Sequence, residues 1–397
     1  MKIESIRLKN FKSFKEVEIK DIPDFCVIVG ANGTGKSTLF DLFGFLKDAL
    51  TSNVQMALSK RGGFGEVRTR TAKGAIEVEI KFRFKRSRQA RPQRATYLLA
   101  INENAEDGMP VVEREELRYR RGSYGQPWKF LSFAHGVGKA VINEIDDVDN
   151  EKDLKREEQT LANPNILAIK GLAQFQRYPA VMQLGQTIEN WHLSDFHIAG
   201  ARGVPDAAVA EHLSQEGENL ALVTQYLYEH HPKVFQKILD RLARRVPGIS
   251  KVEAKITEEG RVLLKFQDKA FRAPFLVRYV SDGTVKMFAY LVLLNDPSPH
   301  PLLCVEEPEN QLYPGLLADL AEEFSSYARE GRQVFVSTHS PDFLNAVELD
   351  SVFWLVKKDG FTQVKRARDD EQIAAFMKEG DQMGYLWKEG LFDGANP

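Results

Sequence analysis

The chain has 397 residues, of which 43% are hydrophobic and 28% charged, a composition typical of a globular protein with a full-sized core. Its formal net charge is -2, so any contact with nucleic acid has to come from a local basic patch. There is no apolar run of about 18 residues and no signal-peptide core, so we expect a cytoplasmic protein without membrane attachment. The cysteines, Cys26 and Cys304, lie in apolar runs and are predicted to be buried free thiols.

The first strands lead into a phosphate-binding pattern. Residues 1–25 alternate as strands do, and a buried run then enters G-A-N-G-T-G-K-S-T at residues 30–38, which has the spacing of a P-loop. Its glycines let backbone N–H groups converge on phosphate oxygens at the positive end of a helix. Lys36 can then reach the β- and γ-phosphates, and the Ser37 hydroxyl can bind Mg²⁺. Phe11 and Phe14 either flank the base or lie in the core.

Residues 66–133 are predicted to be mainly β, because residues 75–84 alternate strictly between apolar and polar side chains. Basic side chains crowd one strand and the loop after it: Lys81, Arg83, Lys85, Arg86, Arg88, Arg91 and Arg94. They indicate either a solvated strand face with a charged hairpin tip, or a contact of Arg86, Arg88 and Arg91 with a DNA backbone.

The sequence pattern changes twice in the middle of the chain, first in its charge and then in its periodicity. Residues 139–160 interleave both signs of charge and predict a solvated helix or linker at a domain boundary. Residues 165–248 have helical periodicity, and short strands follow up to residue 279. From residue 285 the chain alternates again between helices and strands, which is typical of an α/β sheet.

Two buried strands of this last part end in polar residues. Residues 302–305 run into Glu306 and Glu307, of which one can hold Mg²⁺ and the other polarise the attacking water. A strand at 334–336 runs into His339, which can contact the γ-phosphate or orient water. Such clusters fit an α/β sheet that binds its ligand at the carboxyl edge.

A second phosphate corner precedes the helix at 285–294. It consists of Ser281 and the backbone around Gly283, next to the helix N-terminus. One chain rarely needs two phosphate corners for one nucleotide, whereas two chains facing head-to-tail would use both. The sequence therefore predicts a homodimer through the nucleotide sites, with Ser281 of each chain closing over the other's γ-phosphate.

The order of four motifs resembles that of an ABC-type ATPase head: G-A-N-G-T-G-K-S-T, V-S-D-G-T, L-L-C-V-E-E-P-E and V-F-V-S-T-H-S. It is similar in particular to the SMC/RecF/Rad50 branch and its short "AAA family ATPase" relatives. The resemblance implies an α/β P-loop NTPase fold, an ABC-ATPase head with an antiparallel β subdomain and a helical insertion lobe. Residues 1–138 would form the first part of the head with the β subdomain, 139–250 the helical lobe, and 251–397 the second part of the head.

The resemblance also implies a role for each site residue. The Walker A loop would bind the nucleotide through Asn32, Gly33, Thr34, Gly35, Lys36, Ser37 and Thr38. Ser37 and Glu306 would hold Mg²⁺, and Glu307 would be the catalytic base, assisted by Lys36 and by His339 as the switch histidine. Ser281 and Gly283 would form the signature loop that acts in trans.

The chain departs from the family pattern in three ways. Asp282 stands in the signature motif where transporters carry glycine, and Glu306 replaces the usual Walker B aspartate. Both changes look typical of RecF-like and defence-associated relatives. The Q-loop glutamine has no supporting motif, and Gln174 and Gln176 are the candidates.

The function that the resemblance implies is an ATP-hydrolysing switch with ATP and Mg²⁺ as cofactors. Relatives of this size act in anti-phage or overcoming-lysogenisation systems with a separate effector, a nuclease or TOPRIM-like protein. The alternatives are a RecF-like DNA-repair ATPase, which would bind nucleic acid, and a non-catalytic ATP-binding scaffold for a partner nuclease. A transporter subunit is disfavoured by the large insert and the S-D-G-T signature.

Overall fold

A computed structural model describes residues 1–85, 91–121, 125–144 and 148–394. In chain order the strands are β1 (Lys2–Phe11), β2 (Phe14–Ile19), β3 (Phe25–Val29), β4 (Ile76–Phe84), β5 (Gln93–Glu103), β6 (Pro110–Tyr119), β7 (Trp128–Ala134), β8 (Val137–Val141), β9 (Arg156–Thr160), β10 (His192–Ser194), β11 (Ile249–Ile256), β12 (Val262–Asp268), β13 (Phe275–Leu276), β14 (Leu302–Glu306), β15 (Gln333–Thr338), β16 (Val352–Lys358) and β17 (Phe361–Arg366). The α-helices are α1 (Lys36–Thr51), α2 (Val54–Ser59), α3 (Phe64–Val67), α4 (Ala168–Leu172), α5 (Pro179–Glu189), α6 (Ile198–Ala201), α7 (Leu220–His230), α8 (Pro232–Arg245), α9 (Asp282–Leu294), α10 (Leu317–Arg329), α11 (Pro341–Leu344), α12 (Glu371–Glu379) and α13 (Met383–Lys388).

The central sheet carries the motifs. Its strand order is β10-β14-β15-β3-β16-β17, parallel except for β17. Strands β3 and β14 are almost entirely apolar and buried, as expected of a parallel sheet covered on both faces. The register places Glu306 beside Ser337, and Thr338 beside Val29. The P-loop after β3 and the polar ends of β14 and β15 therefore lie at one edge of the sheet.

A second, antiparallel sheet has the order β2-β1-β4-β5-β6-β7-β8-β9. Every second residue of β4 is buried, which confirms the strand predicted from its alternation. Helices α1, α2, α4 and α5 share one apolar core with this sheet and with one face of the central sheet. Phe11 and Phe14 are fully buried in that core, so they are core residues and do not flank a base.

The opposite face of the central sheet has a core of its own. Because side chains alternate along β3, Cys26 and Ile28 contact the first core, whereas Val27 and Val29 contact the second. The second core is completed by α7 to α10 and by the small antiparallel sheet β11-β12-β13. Cys26 and Cys304 are buried free thiols, as predicted.

One buried side chain joins the two large sheets. Gln333, at the start of β15, accepts a hydrogen bond from the Ile3 N–H (2.6 Å) and donates one to the Ile3 carbonyl (2.8 Å). Its amide thus satisfies both backbone groups of an interior residue of β1. Across the described ranges, no helix has both the length and the apolar character needed to span a membrane.

Two segments differ from the expectations. Residues 156–160 were expected in a solvated helix or linker but form β9, because the edge of a sheet tolerates charged residues and needs one neighbouring strand only. The stretch 165–248, expected to be helical, also contains β10, which pairs with β14. Residues 139–250 are therefore not an all-helical lobe, and the division of the chain at 139 and 250 stays a prediction.

Candidate nucleotide-binding site

The loop between β3 and α1 adopts a conformation that depends on its glycines. Gly33 and Gly35 have φ angles of 79° and 108°, in the left-handed region that favours glycine. A Cβ on Gly35 would lie 2.7 Å from Oγ1 of Thr362 and 2.9 Å from Oγ of Ser13. The Thr362 hydroxyl donates a hydrogen bond to the Thr34 carbonyl (2.7 Å), which ties the loop to β17. No side chain fits at position 35 without displacing these neighbours.

Helix α1 begins directly after this loop. Its N-cap, Gly35, offers no side-chain acceptor, so the first backbone N–H groups of the helix are uncapped by any side chain. Lys36 is buried, and its Nζ donates to the Gly30 carbonyl at 2.7 Å, which directs the amine over the loop. Asn32 and Gly33 are exposed, and Thr38 lies in the first turn of α1. The loop thus combines free N–H groups with a cation, which fits a polyphosphate.

Burial lowers the pKa of Lys36, while the glutamates that follow β14 favour its charged form. The amine thus lies between a desolvating loop and a group of carboxylates. An anion close to Lys36 would add to the stabilisation of its charged form.

Ser37 and Glu306 lie together although they are far apart in sequence. The Ser37 hydroxyl is near enough to the Glu306 carboxylate to favour its charged form. Burial raises the pKa of Glu306, and the nearby carboxylates of Asp195, Glu307 and Asp41 add to the rise. A hydroxyl among crowded carboxylates is the oxygen donor set that Mg²⁺ prefers, and a cation there would relieve the repulsion between the acids. These residues therefore fit a Mg²⁺ ion beside the phosphates.

Glu307 follows β14 with a φ of 42°, a strained value for a residue other than glycine. The strained backbone is held by a hydrogen bond from the Glu307 N–H to the Ser337 carbonyl (2.9 Å). The carboxylate is 33% exposed, accepts a hydrogen bond from Nδ2 of Asn310 (3.1 Å), and lies 3.4 Å from Nδ1 of His339. Glu307 is therefore a fixed carboxylate that water can reach, as a general base must be.

Glu309 is a residue to which the sequence gave no role. Its Oε1 accepts hydrogen bonds from the Thr338 hydroxyl (2.7 Å) and the His339 N–H (2.8 Å), and it lies 3.5 Å from Nδ1 of His339. Its other oxygen is buried and has no hydrogen-bond partner within the described part of the chain. Glu309 thus holds the end of β15 against the loop after β14. The sequence feature that could have pointed to Glu309 is its position as the third glutamate of the E-E-P-E motif.

Asp195 was also missed by the sequence argument. It follows β10, and the register of β10 with β14 brings it level with Glu306. The candidate Q-loop residues, Gln174 and Gln176, lie instead in an exposed turn between α4 and α5. Among the residues described, no hydrogen bond or ion pair joins either glutamine to the P-loop, so the structure does not bring them to the site.

The signature corner lies at the start of α9, next to the loop that follows β14. Ser281 is the exposed N-cap of α9, with Oγ 2.8 Å from Oγ1 of Thr284. A Cβ on Gly283 would lie 3.2 Å from the Gln311 carbonyl, and Asp282 forms an ion pair with Arg202 at 2.6 Å. Within the ranges that the structure covers, no hydrogen bond or ion pair connects Ser281 or Gly283 to the P-loop of the same chain.

The basic cluster is partly neutralised where it can be described. Arg86 and Arg88 lie outside the described residues, and Arg91 is exposed. Two of the neighbouring strand arginines, on β4 and β5, both pair with Glu4. This pairing fits a solvated strand face, and a DNA contact of Arg86, Arg88 and Arg91 stays a prediction.

Comparison with protein families identifies the chain. The family described as "AAA domain, putative AbiEii toxin, Type IV TA system" matches residues 141–345, just over half of the chain. The chain belongs to this AAA-domain family. A second family, described as "AAA ATPase domain", matches residues 1–163 of this AAA protein. No curated protein matches its sequence significantly.

Solved structures show the fold of this AAA protein. The SMC head in "Crystal structure of the SmcHead bound to the C-winged helix domain of ScpA" aligns with a TM-score of 0.51 and 16% identity, over 92% of this chain and 97% of that chain. The SMC head domain from Thermotoga maritima gives a TM-score of 0.46 at 14% identity, over 92% and 99% of the two chains. The Smc head domain derived from Pyrococcus furiosus, bound to the C-terminal domain of ScpA, gives 0.48 at 14% identity, over 95% and 99%. The first of these similarities, at 16% identity, shows the fold of this AAA protein and nothing of its activity.

The predicted family and fold class are confirmed. This AAA protein has the AAA ATPase domains of its family, and its α/β fold with an antiparallel sheet is that of an SMC head. The family implies that the chain binds a nucleotide. The roles of the individual site residues stay predictions.

Proposed function

We propose that the chain is an ATP-hydrolysing switch, in which ATP joins two copies head-to-tail and hydrolysis releases them. The observation that supports this most strongly is the meeting of two pairs, Ser37 with Glu306 and Glu307 with His339, at the edge of the sheet where Lys36 lies. These side chains come from three different strand ends. A binding site alone would not need the second pair.

The proposed reaction gives a role to each residue of the site. The N–H groups of the P-loop and Lys36 hold the phosphates, and Ser37 and Glu306 hold Mg²⁺, which neutralises phosphate charge when bound. Glu307 accepts a proton from the attacking water. His339, beside Glu307, orients that water against the γ-phosphate. Lys36 also stabilises the negative charge that develops on the oxygens of the γ-phosphoryl group during its transfer.

The head-to-tail dimer is supported by the exposed position of Ser281. A serine hydroxyl and a helix N-terminus form a phosphate-binding corner, and here α9 provides both, with no hydrogen bond to its own P-loop among the described residues. The proposed contact is between Ser281 and Gly283 of one chain and the γ-phosphate held by the other. The dimer would thus form only with ATP bound.

We further propose that the switch gates a separate effector, a nuclease or TOPRIM-like protein, in anti-phage defence. The AbiEii toxin and type IV TA system named in the family description support a defence setting. The SMC head that binds the winged-helix domain of ScpA supports the idea that this fold takes protein partners. DNA repair and a non-catalytic scaffold remain the alternatives, and turnover assays with and without DNA separate them.

The dimer is tested with Glu307→Gln, which keeps the nucleotide site but removes the base. With ATP and Mg²⁺ at micromolar concentration, light scattering should give about twice the monomer mass of 45.0 kDa. Glu307→Gln with Ser281→Ala should return to the monomer, whereas Glu307→Gln with the exposed Glu330→Gln should stay dimeric. A Glu307→Gln protein that remains monomeric with ATP would show that the trans role of Ser281 is wrong.

The trigger is tested by phosphate release with and without double-stranded DNA. Stimulation that disappears when Arg86, Arg88 and Arg91 are neutralised would favour DNA as the sensed ligand or DNA repair as the task. Turnover that ignores DNA would favour a protein trigger. Binding of ATP without any turnover would favour the scaffold.

A further inference from the structure

A histidine cluster lies outside the catalytic residues, where three segments meet. His212 lies in the loop between α6 and α7, Asp296 follows α9, and His300 precedes β14. One ligand atom of each residue lies within 4.8 Å of those of the other two. Both histidines line a cavity of about 570 Å³ that extends to Glu306.

The acidic member of the cluster is already oriented. Asp296 has a side chain that is only 4% exposed, and its Oδ2 lies 2.8 Å from Nδ1 of His212. Its Oδ1 accepts a hydrogen bond from the Ser298 N–H at 2.8 Å. His212 is 46% exposed, so it is the member whose side chain can move most easily.

His300 has the hydrogen bonding of a metal ligand. Its Nδ1 lies 3.2 Å from the Asn190 carbonyl, which can only accept, so Nδ1 carries the proton and Nε2 a lone pair. That Nε2 is buried and has no hydrogen-bond partner in the described ranges. A backbone carbonyl on the far nitrogen is the usual way to fix the tautomer of a metal-binding histidine.

A further ring encloses the cluster. His192, with 6% of its surface exposed, stacks on His300 with 4.7 Å between ring centroids. Its Nε2 is buried and likewise lacks a hydrogen-bond partner within the part of the chain that is described. The buried Nε2 of His300 is costly without a ligand, and the His192 ring packs against the His300 ring beside it.

We propose that His212, Asp296 and His300 bind a divalent transition-metal ion, with Zn²⁺ the best match. Two imidazole nitrogens and one carboxylate suit Zn²⁺, whereas Mg²⁺ and Ca²⁺ prefer oxygen ligands alone. Tetrahedral bonds of about 2.0–2.1 Å place ligand atoms about 3.4 Å apart, so the three ligand atoms, which lie within 4.8 Å of one another, need to shift by about an ångström. Water from the adjoining cavity takes the fourth position.

The ion would link elements that also carry the nucleotide site. Asp296 lies beyond the C-terminus of α9, whose N-terminus holds Ser281, and His300 lies just before β14, whose end holds Glu306. The metal would thus fasten the loop of His212 to both elements. The ion would therefore have a structural role and would not contact the reacting phosphates.

The test titrates the full, nucleotide-free chain with ZnCl₂ by calorimetry. One Zn²⁺ should bind per chain, and His212→Ala and Asp296→Asn should each lower its affinity at least tenfold. His230→Ala, at an exposed histidine outside the cluster, is the matched control and should bind as the wild type does. His339→Ala should also keep the ion, which separates this site from the nucleotide site.

A thermal melt guards against misfolding of the variants. Without metal, His212→Ala should melt somewhat below the wild type, because the nearly buried Asp296 loses its partner, and it should also lose the rise in Tm that Zn²⁺ gives the wild type. The proposal is overturned if the wild type binds no Zn²⁺, or if His212→Ala binds it as tightly. It is equally overturned if His339→Ala alone removes the ion.

Discussion

Glu115 gives the sharpest prediction about stability. It lies on β6, is fully buried, and accepts hydrogen bonds from the N–H groups of Ala168 (2.5 Å) and Ile169 (3.1 Å) at the start of α4. The Tyr97 hydroxyl donates a third bond at 3.0 Å. Burial raises the pKa of Glu115 from 4.5 to about 7, because the cost of desolvating the charge exceeds what these donors return.

The direction of the pH effect follows from this pKa. The folded protein holds the Glu115 proton more tightly than the unfolded chain, so its contribution to stability is complete below pH 4.5 and is lost as the pH rises through about 7. A tenfold change in proton affinity is worth about 1.4 kcal/mol, so the whole loss is about 3 kcal/mol. Glutamine keeps the shape but carries no charge, and its NH2 group has to face one of the donors, which costs a similar amount at every pH. The stability of Glu115→Gln relative to the wild type should therefore rise by about 3 kcal/mol between pH 4.5 and pH 8.

Urea unfolding of both proteins, followed by circular dichroism from about pH 4.5 to 8, measures this difference. Glu157→Gln, at an exposed position on β9, is the control and should follow the wild type at every pH. A difference in stability between Glu115→Gln and the wild type that stays constant from pH 4.5 to pH 8 would refute the reasoning, because Glu115 would then titrate alike in the folded and the unfolded chain.

Three further predictions concern single contacts. Gln333→Ala should lower the free energy of unfolding by about 2–4 kcal/mol, because it leaves the buried N–H and carbonyl of Ile3 unpaired; urea unfolding beside the exposed Gln363→Ala measures it. Gly35→Ala should weaken ATP binding at least tenfold, because its Cβ would lie 2.7 Å from a threonine hydroxyl; a fluorescent-nucleotide titration that gives equal affinities would contradict this. Lys36→Ala should abolish nucleotide binding in the same titration. An unchanged affinity would show that residues 30–38 are not a nucleotide-binding P-loop.

The grouping of the site could be predicted because parallel strands share an edge. Lys36, Glu306 and His339 each follow a buried apolar run, and the carboxyl ends of such strands meet in an α/β sheet. Ser37 and Glu306 lie close together because the strands that precede them, β3 and β14, both pair with β15. The sequence pattern alone was therefore enough to predict that these residues lie close together.

The remaining site residues depend on tertiary pairing. Strand β10 has three residues, too few for a periodic pattern, so Asp195 gave no signal until the pairing with β14 placed it. Glu309 was visible as an acid, but its contact with Thr338 depends on the direction of the side chain. The charged segment at 156–160 resembles a linker because an edge strand exposes most of its residues.

The most direct test of the central claim is steady-state phosphate release from ATP and Mg²⁺ by the purified chain. The wild type, Lys36→Ala and Glu307→Gln are compared at one protein concentration, with Glu330→Gln as the exposed control. We expect turnover by the wild type and the control, and a loss of at least about 100-fold in the other two. Turnover that survives both substitutions would contradict the assignment of this edge of the sheet as an ATPase site.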